Sequence, residues 1–163
     1  MKQKENAKEA FSASGPDLKH DMNKKSITEI QKEITEEFNT CRSGFDQYEL
    51  LIKTARQLLP FTSEARKIAR IVQGCQSQVW LSIQCKNGIF EFCGYSNSSI
   101  INGVIALLER MFCGQSCSAV AAAEITFLKD TAFLTVFESE RAKGIQYMIK
   151  SLQEEALRSV TSF

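Results

Sequence analysis

The sequence predicts an α+β fold, in which a small antiparallel β-sheet packs against several α-helices. Two apolar stripes at helical spacing come first, one β-hairpin with an Asn-Gly turn follows, and further helical stripes complete the chain. Because the helices precede and follow a single hairpin and do not alternate with strands, the pattern is that of α+β proteins. A two-stranded hairpin alone is marginally stable, so a third strand is expected, although the sequence does not locate it.

The N-terminal part of the chain combines a polar tail with a well-marked first helix. Residues 1–25 are rich in Lys, Glu, Ser, Asn and Asp, a composition that predicts a mobile tail. A single domain is predicted over residues 26–160. Its first helix begins at a capping box, with Ser26 as N-cap and Glu29 three residues later. Apolar residues at helical spacing extend this helix to about Thr40.

A second and a third helix are predicted before the hairpin. Ser43-Gly44 separates the second helix from the first, and Pro60 is expected to close it. The apolar stripe of this helix consists of Tyr48, Leu51, Ile52, Ala55, Leu58 and Leu59. A short third helix is predicted over residues 63–70.

Residues 79–93 form the clearest β-structure in the sequence. Asn87-Gly88 is the signal of a two-residue hairpin turn, which fixes the register and sets Cys85 opposite Phe90. Alternation then divides the side chains between an apolar face and a mostly polar face. The apolar face carries Val79, Leu81, Ile83, Cys85, Phe90 and Phe92, and the polar face carries Ser82, Gln84, Lys86, Glu91 and Cys93. We therefore expect Cys85 to pack in the core and Cys93 to lie on the more polar face.

The C-terminal half of the chain is predicted to be helical. Polar N-cap candidates at residues 96–99 begin a helix that Gly114 ends. Residues 116–128 are ambiguous, with an alanine-rich centre that favours helix. A long final helix is predicted from Glu138 to about Ser159, with Arg141 in its first turn. Its buried stripe is predicted to contain Ile145, Met148, Ile149, Leu152 and Ala156.

Composition excludes several classes of function. The 163 residues are 44% hydrophobic and 24% charged, which is typical of one globular domain. The net charge of +1 argues against nucleic acid or an anionic membrane as the main partner, since both need a basic surface. No apolar run reaches the length of a membrane span, and residues 1–11 lack the apolar region of a secretory signal. We therefore expect a cytoplasmic protein with its six cysteines reduced.

One cysteine has a sequence context that suits chemistry. Cys75 follows Gly74 and precedes Gln76-Ser77-Gln78, just before the first predicted strand, so it is expected on a loop. Glycine permits unusual backbone angles and close approach of a partner. The amide and hydroxyl groups of Gln76 and Ser77 offer donors to a thiolate or its sulfur adduct. The residues alone leave an exposed reactive thiol and an inert buried one both open.

Other chemistries find little support in the sequence. A Cys-His hydrolase needs an ordered histidine as base, and the only histidine, His20, lies in the predicted tail. The paired ligands of a structural zinc site and the glycine patterns of nucleotide-binding loops are absent from the sequence. What remains for an accessible thiol is thiol exchange, sulfur relay or redox sensing. The nearest cations along the chain are Arg66, Lys67 and Arg70.

The segment from Gly74 to Trp80 closely resembles the signature loop of SufE-type sulfur acceptor proteins (SufE/CsdE). Three flanking segments, at residues 48–60, 96–106 and 139–145, resemble other segments of the same family. The resemblance covers roughly residues 30–155 in the family's order, and the cysteine loop is its most specific part.

The resemblance implies an α+β, SufE/IscU-like fold and a role in iron–sulfur cluster assembly. The implied partner is a SufS-type cysteine desulfurase, and Cys75 would accept the outer sulfur of its persulfide and relay it to a cluster scaffold. Arg141 would favour the anionic thiolate or persulfide, and Gly74, Gln76 and Ser77 would complete the binding loop. The resemblance implies no resident cofactor or metal, because the PLP belongs to the desulfurase, and no independent turnover.

The sequence departs from the family pattern at two positions, and two alternative functions remain open. Asn97 and Asn102 occupy positions where the family usually has Asp and Lys, and the former region is associated with docking. One alternative is an iron–sulfur scaffold with Cys75, Cys113 and Cys117 as ligands, which would require these thiolates to converge. The other is a redox-sensing or adaptor module that transfers no sulfur.

Overall fold

The computed structural model of the chain describes residues 24–131 and 139–162. The elements of these residues, in chain order, are α1 (Ile27–Asn39), α2 (Gly44–Ala55), α3 (Ser63–Ile68), β1 (Arg70–Ile71), β2 (Val79–Lys86), β3 (Ile89–Ser96), α4 (Ser99–Phe112), α5 (Cys117–Ala122), α6 (Phe127–Asp130) and α7 (Ser139–Thr161). The predicted α+β class is confirmed. All but the last two residues of the predicted tail, 1–25, lie outside the described residues, as does Glu138.

The first helix begins where the sequence predicts it. The hydroxyl of Ser26 accepts a hydrogen bond from the N–H of Glu29 at 3.2 Å, and the Glu29 carboxylate accepts one from the N–H of Ser26 at 2.7 Å. This reciprocal pair satisfies two N–H groups that the first turn of α1 would otherwise leave without partners.

The predicted end of the second helix is wrong. Helix α2 ends at Ala55 and does not continue to Pro60. Leu59 is 43% exposed and not part of an apolar stripe, and its N–H donates to the carboxylate of Glu109 at 3.0 Å. A helix continued to Pro60 would have satisfied this N–H itself, whereas here its acceptor is a side chain 50 residues later in the chain.

The sheet has three antiparallel strands in the order β1-β2-β3. The hairpin register is confirmed, with Cys85 opposite Phe90. The third strand is β1, whose residues Arg70 and Ile71 pair with Leu81 and Trp80. Helix α3 accordingly ends at Ile68, two residues earlier than predicted.

The two faces of the hairpin are both partly covered. Cys85 packs against the core as predicted. Cys93 lies on the face assigned by the register, but it is only 4% exposed, and its neighbour across the strands, Ser82, is fully buried. Cys93 and Ser82 are therefore buried, although they lie on the face predicted to be mostly polar. Helix α4 lies over this part of the face, with Glu109 close to Cys93.

The outer edge of β3 is covered by the helix that follows it. The side chain of Asn102 accepts the N–H of Ser96 at 2.7 Å and donates to its carbonyl at 2.9 Å. Further along, the thiol of Cys113 donates to the carbonyl of Phe92 at 3.2 Å. These bonds satisfy main-chain groups that an open edge would expose to strand pairing with another molecule. Asn102, one of the two departures from the family pattern, thus has a structural role.

The C-terminal elements complete the core. The ambiguous stretch at residues 116–128 contains α5 and the start of α6, separated by a non-helical segment. Helix α7 packs against α5 and β2, and the stripe predicted for it is buried, namely Ile145, Met148, Ile149, Leu152 and Ala156. None of the helices in the described ranges is both long and apolar enough to span a bilayer.

A candidate thiol site between the sheet and the last helix

Cys75 lies in the loop that joins β1 to β2. The N–H of Val72 donates to the carbonyl of Val79 at 2.9 Å, which closes the base of the loop. Gly74 has a φ of +86°, a left-handed conformation that favours glycine. The loop is therefore held at both ends by the sheet, and Gly74 turns it toward α7.

The Cys75 side chain rests on the backbone of α7. Its thiol donates to the carbonyl oxygen of Gly144, with 3.3 Å between sulfur and oxygen. A Cβ atom at Gly144 would lie 3.3 Å from this sulfur, so the close fit depends on the absence of a side chain there. The other walls of the small cavity around the sulfur are formed by Gln76, Ser77, Val79, Ile101, Arg141 and Met148.

Burial controls the protonation of this thiol at rest. The Cys75 side chain is half-buried and packs against the hydrophobic core. Burial raises the pKa of the Cys75 thiol above its ordinary value, because removal from water disfavours the charged form. A protonated thiol is also what the hydrogen bond to Gly144 requires, since the sulfur is the donor. The arrangement therefore holds Cys75 as a protonated, partly shielded thiol.

Arg141 provides positive charge at the same cavity. It lies in the first turn of α7 and is half-buried. Its neighbours Glu140 and Lys143 pair with each other at 3.3 Å, whereas Arg141 has no ion pair with any residue in the described ranges. Among the described residues, no carboxylate therefore competes with an anion near Cys75 for this guanidinium.

The remaining predicted loop residues are close to the sulfur without hydrogen bonding to it in the described contacts. Gln76 is exposed and Ser77 is half-buried, and both line the cavity. Gly74 lies under the ring of Tyr147. The three cations nearest along the chain lie elsewhere: Lys67 pairs with Glu64, Arg66 lies over the ring of Phe61, and Arg70 lines a separate groove.

Comparison with known proteins identifies the family. Residues 32–156 match the family described as "SufE: Fe-S metabolism associated domain", which is well over half of the chain. The chain belongs to the SufE family. It is 29% identical over 129 residues to an uncharacterized SufE-like protein of Rhizobium etli, an alignment covering 76% of this chain and 87% of the relative.

The fold of this SufE-family protein is also found in a solved structure. A hypothetical protein from Thermus thermophilus, known from a solution structure, superposes with a TM-score of 0.70. The superposition covers 82% of this chain and 97% of the other, at 18% identity. At that identity the likeness concerns the fold alone.

Four residues that line the cavity around the sulfur were not singled out from the sequence as site residues, namely Val79, Ile101, Gly144 and Met148. For Gly144 a signal existed, because a glycine inside a helix costs about 1 kcal/mol relative to alanine and therefore calls for a packing reason. Met148 and Ile101 carry no such signal, since each also belongs to an ordinary apolar stripe.

Three other cysteines of this SufE-family protein lie in surroundings that suit a structural role and not a reactive thiol. Burial raises the pKa of Cys93 to about 11 and that of Cys117 to about 12, and it raises the pKa of Cys113 strongly as well. Cys113 donates to the Phe92 carbonyl at the edge of β3, and Cys117 lies close to Cys85. The described residues contain no group of three or more potential metal ligands, so they offer no support for the scaffold alternative.

Proposed function

We propose that this SufE-family protein is a sulfur acceptor and carrier, in which Cys75 takes the outer sulfur from the persulfide of a SufS-type cysteine desulfurase. The carrier then delivers this sulfur to iron–sulfur cluster assembly in the cytoplasm. The observation that carries the proposal is the shared cavity: the Cys75 sulfur and the Arg141 side chain line one small space between a glycine-preceded loop and α7. The SufE domain supports the wider association with Fe–S metabolism.

The proposed reaction is a thiol–persulfide exchange. The Cys75 thiolate attacks the outer sulfur of the donor persulfide, so an S–S bond forms at Cys75 and the S–S bond of the donor breaks. The donor cysteine leaves as a thiolate, and the proton given up by Cys75 balances its charge. No oxidant or reductant is consumed, because the sulfane sulfur moves between two thiols. Removal of the persulfide frees the donor cysteine for its next turnover, which stimulates the desulfurase.

Attack requires that Cys75 leave its resting position. At rest, burial raises the pKa of the thiol and the proton is shared with the Gly144 carbonyl. Movement into water removes the desolvation penalty and so restores thiolate character. Once the sulfur is transferred, the persulfide reaches one bond further than the thiol did, and Arg141 can stabilise its negative charge. A half-buried resting position also protects the sulfur from free thiols.

The proposal is tested by intact-mass measurement. The protein is mixed with a SufS-type desulfurase, PLP and L-cysteine, and a gain of one sulfur atom is expected in the wild-type protein and absent in Cys75→Ser. Cys41→Ser is the matched control, because Cys41 is also half-buried and lies in the loop between α1 and α2. No adduct in the wild-type protein, or an adduct that survives Cys75→Ser, would contradict the proposal.

Partner binding separates a carrier from an adaptor. Affinity for the desulfurase is measured for the wild-type protein and Cys75→Ser by titration calorimetry. A carrier binds in both forms but removes sulfur only with Cys75 present. Unchanged binding with no sulfur transfer in the wild-type protein would favour the adaptor.

A further inference from the structure

Tyr147 lies directly on the loop residue that precedes the cysteine. A Cβ atom at Gly74 would be 2.8 Å from both Cδ2 and Cε2 of the Tyr147 ring, so the ring is packed against the Gly74 backbone. Contact this close is possible only because Gly74 has no side chain. The ring is 46% exposed and Gly74 is exposed as well, so the ring packs on one side of Gly74 at the surface.

One face of α7 therefore holds two consecutive loop residues. Gly144 contacts Cys75 and Tyr147 contacts Gly74, and these helix positions are three residues apart and so lie on the same face. Because the two loop residues are adjacent, a shift of the Cys75 backbone away from Gly144 also shifts Gly74. The ring of Tyr147 packs against Gly74 and opposes such a shift.

The ring has space to move away from the loop. Beside the ring lies a groove of about 620 Å³ between β1, β2 and α7. Tyr147 and Gly74 are part of its lining, and its apolar floor includes Val72, Leu81 and Ile83. An exposed ring beside an open groove has room to rotate, and exposed side chains change rotamer rapidly.

We propose that Tyr147 is a positioning residue that holds the Gly74–Cys75 segment in its resting place, and that displacement of its ring into the groove releases the thiol. The role of this release in sulfur transfer rests on the proposed function, because docking of the sulfur donor over the loop would displace the ring. The contact between Tyr147 and Gly74 does not depend on that function and can be tested without a partner.

The ring rather than the hydroxyl is expected to matter. Among the described residues the Tyr147 hydroxyl has no hydrogen-bond partner, whereas the ring carbons make the contact with Gly74. Tyr147→Phe is therefore a matched control that keeps the contact. Tyr147→Ala removes the contact, and Tyr147→Leu retains part of the side-chain volume in case the alanine variant folds poorly.

The test is the rate of alkylation of Cys75 by iodoacetamide in the protein alone, followed by peptide mass mapping. Tyr147→Ala is expected to raise this rate about tenfold, Tyr147→Leu by a smaller factor, and Tyr147→Phe not at all, because labelling follows the population of the released loop. The rates at Cys93 and Cys117 should stay unchanged, which shows that the fold has not opened. A folded Tyr147→Ala or Tyr147→Leu protein with the wild-type rate at Cys75 would overturn the proposal.

A second readout connects the release to sulfur transfer. After loading by the desulfurase, the Cys75 persulfide of Tyr147→Ala should be lost to a thiol reductant several times faster than that of the wild-type protein or of Tyr147→Phe. Equal loss from all three proteins would contradict a protective role for Tyr147. If the wild-type protein accepts no sulfur, the proposed function fails while the partner-free alkylation result still decides the role of Tyr147.

Discussion

The Cys75 sulfur lies 3.3 Å from the carbonyl oxygen of Gly144, a residue 69 positions later in the chain. The last helix therefore forms the surface on which the cysteine loop rests, and the missing side chain at Gly144 makes room for it. This contact accounts for the partial shielding of the thiol at rest, which the proposed carrier function requires.

Substitution of Gly144 by alanine should displace the thiol without weakening the fold. The added methyl group would lie 3.3 Å from the Cys75 sulfur, which is closer than ordinary contact, and the loop can yield because Cys75 is not part of a strand. Alanine also favours the helix by up to about 1 kcal/mol. We expect faster alkylation of Cys75 and an unchanged or slightly higher free energy of unfolding in urea. Gln146→Ala, on the exposed side of α7, should change neither quantity, and a Gly144→Ala protein with the wild-type alkylation rate would contradict the contact.

Substitution of Arg141 should slow sulfur acceptance and leave resting alkylation unchanged. Burial, and not Arg141, sets the direction of the Cys75 pKa shift at rest, whereas a transferred persulfide brings negative charge toward the guanidinium. One pKa unit of lost stabilisation corresponds to about a tenfold effect, so we expect Arg141→Ala to lower the single-turnover rate roughly tenfold and Arg141→Lys to lower it less. The measurement is rapid-quench mass spectrometry. Lys143→Ala removes a neighbouring cation that is already paired with Glu140 and should have no effect.

The parts of the fold that could be predicted from sequence are those specified by neighbouring residues. The Asn-Gly turn fixed the hairpin register, with Cys85 opposite Phe90, because turn geometry alone sets the pairing. The capping box of Ser26 and Glu29 marked the start of α1 for the same reason. In both cases the partners that form the interaction lie within a few residues of one another.

The parts that could not be predicted depend on residues far away in the chain. Strand β1 is only two residues long and exists because β2 pairs with it, and the segment after α2 is held where Glu109 accepts the N–H of Leu59. Likewise, the loop position of Cys75 follows from the local sequence, but its contact with Gly144 follows only from the packing of α7. Sequence periodicity carries no information on such pairs, so the residues that α7 brings to the site, Arg141, Gly144 and Met148, came from the resemblance or from the structure.

Glu109 should make the stability of the fold depend on pH. The side chain is only 5% exposed, and burial raises the pKa of its carboxyl to about 7 from an ordinary value of 4.5. Between these values the folded protein binds more protons than the unfolded chain, so the free energy of unfolding falls as the pH rises from about 4.5 to about 7 and then levels off. The size of this contribution is on the order of 3 kcal/mol.

The pH dependence is isolated with Glu109→Gln, which keeps an oxygen that can accept from Leu59. Urea unfolding is measured at about pH 5 and about pH 8, on either side of the raised pKa, for the wild-type protein and the variant. Because all other groups titrate alike in both proteins, the variant should gain stability relative to wild type between the two pH values. Parallel pH profiles would show that the carboxyl is not raised in pKa.

Gly103 should be the least replaceable glycine of the helical core. It lies in α4, and a Cβ atom there would be 2.8 Å from the carbonyl carbon of Leu51, a backbone atom of α2 that cannot move without shifting the whole helix. Overpacking of this kind costs about 1–3 kcal/mol, which exceeds the gain of about 1 kcal/mol that alanine brings to a helix. We expect Gly103→Ala to lower the free energy of unfolding in urea by about 2 kcal/mol.

Gly44→Ala makes the same chemical change at an exposed position at the start of α2 and should leave stability within about 1 kcal/mol of wild type. Equal stability of the two variants would mean that α2 and α4 do not approach each other as closely as the structure shows.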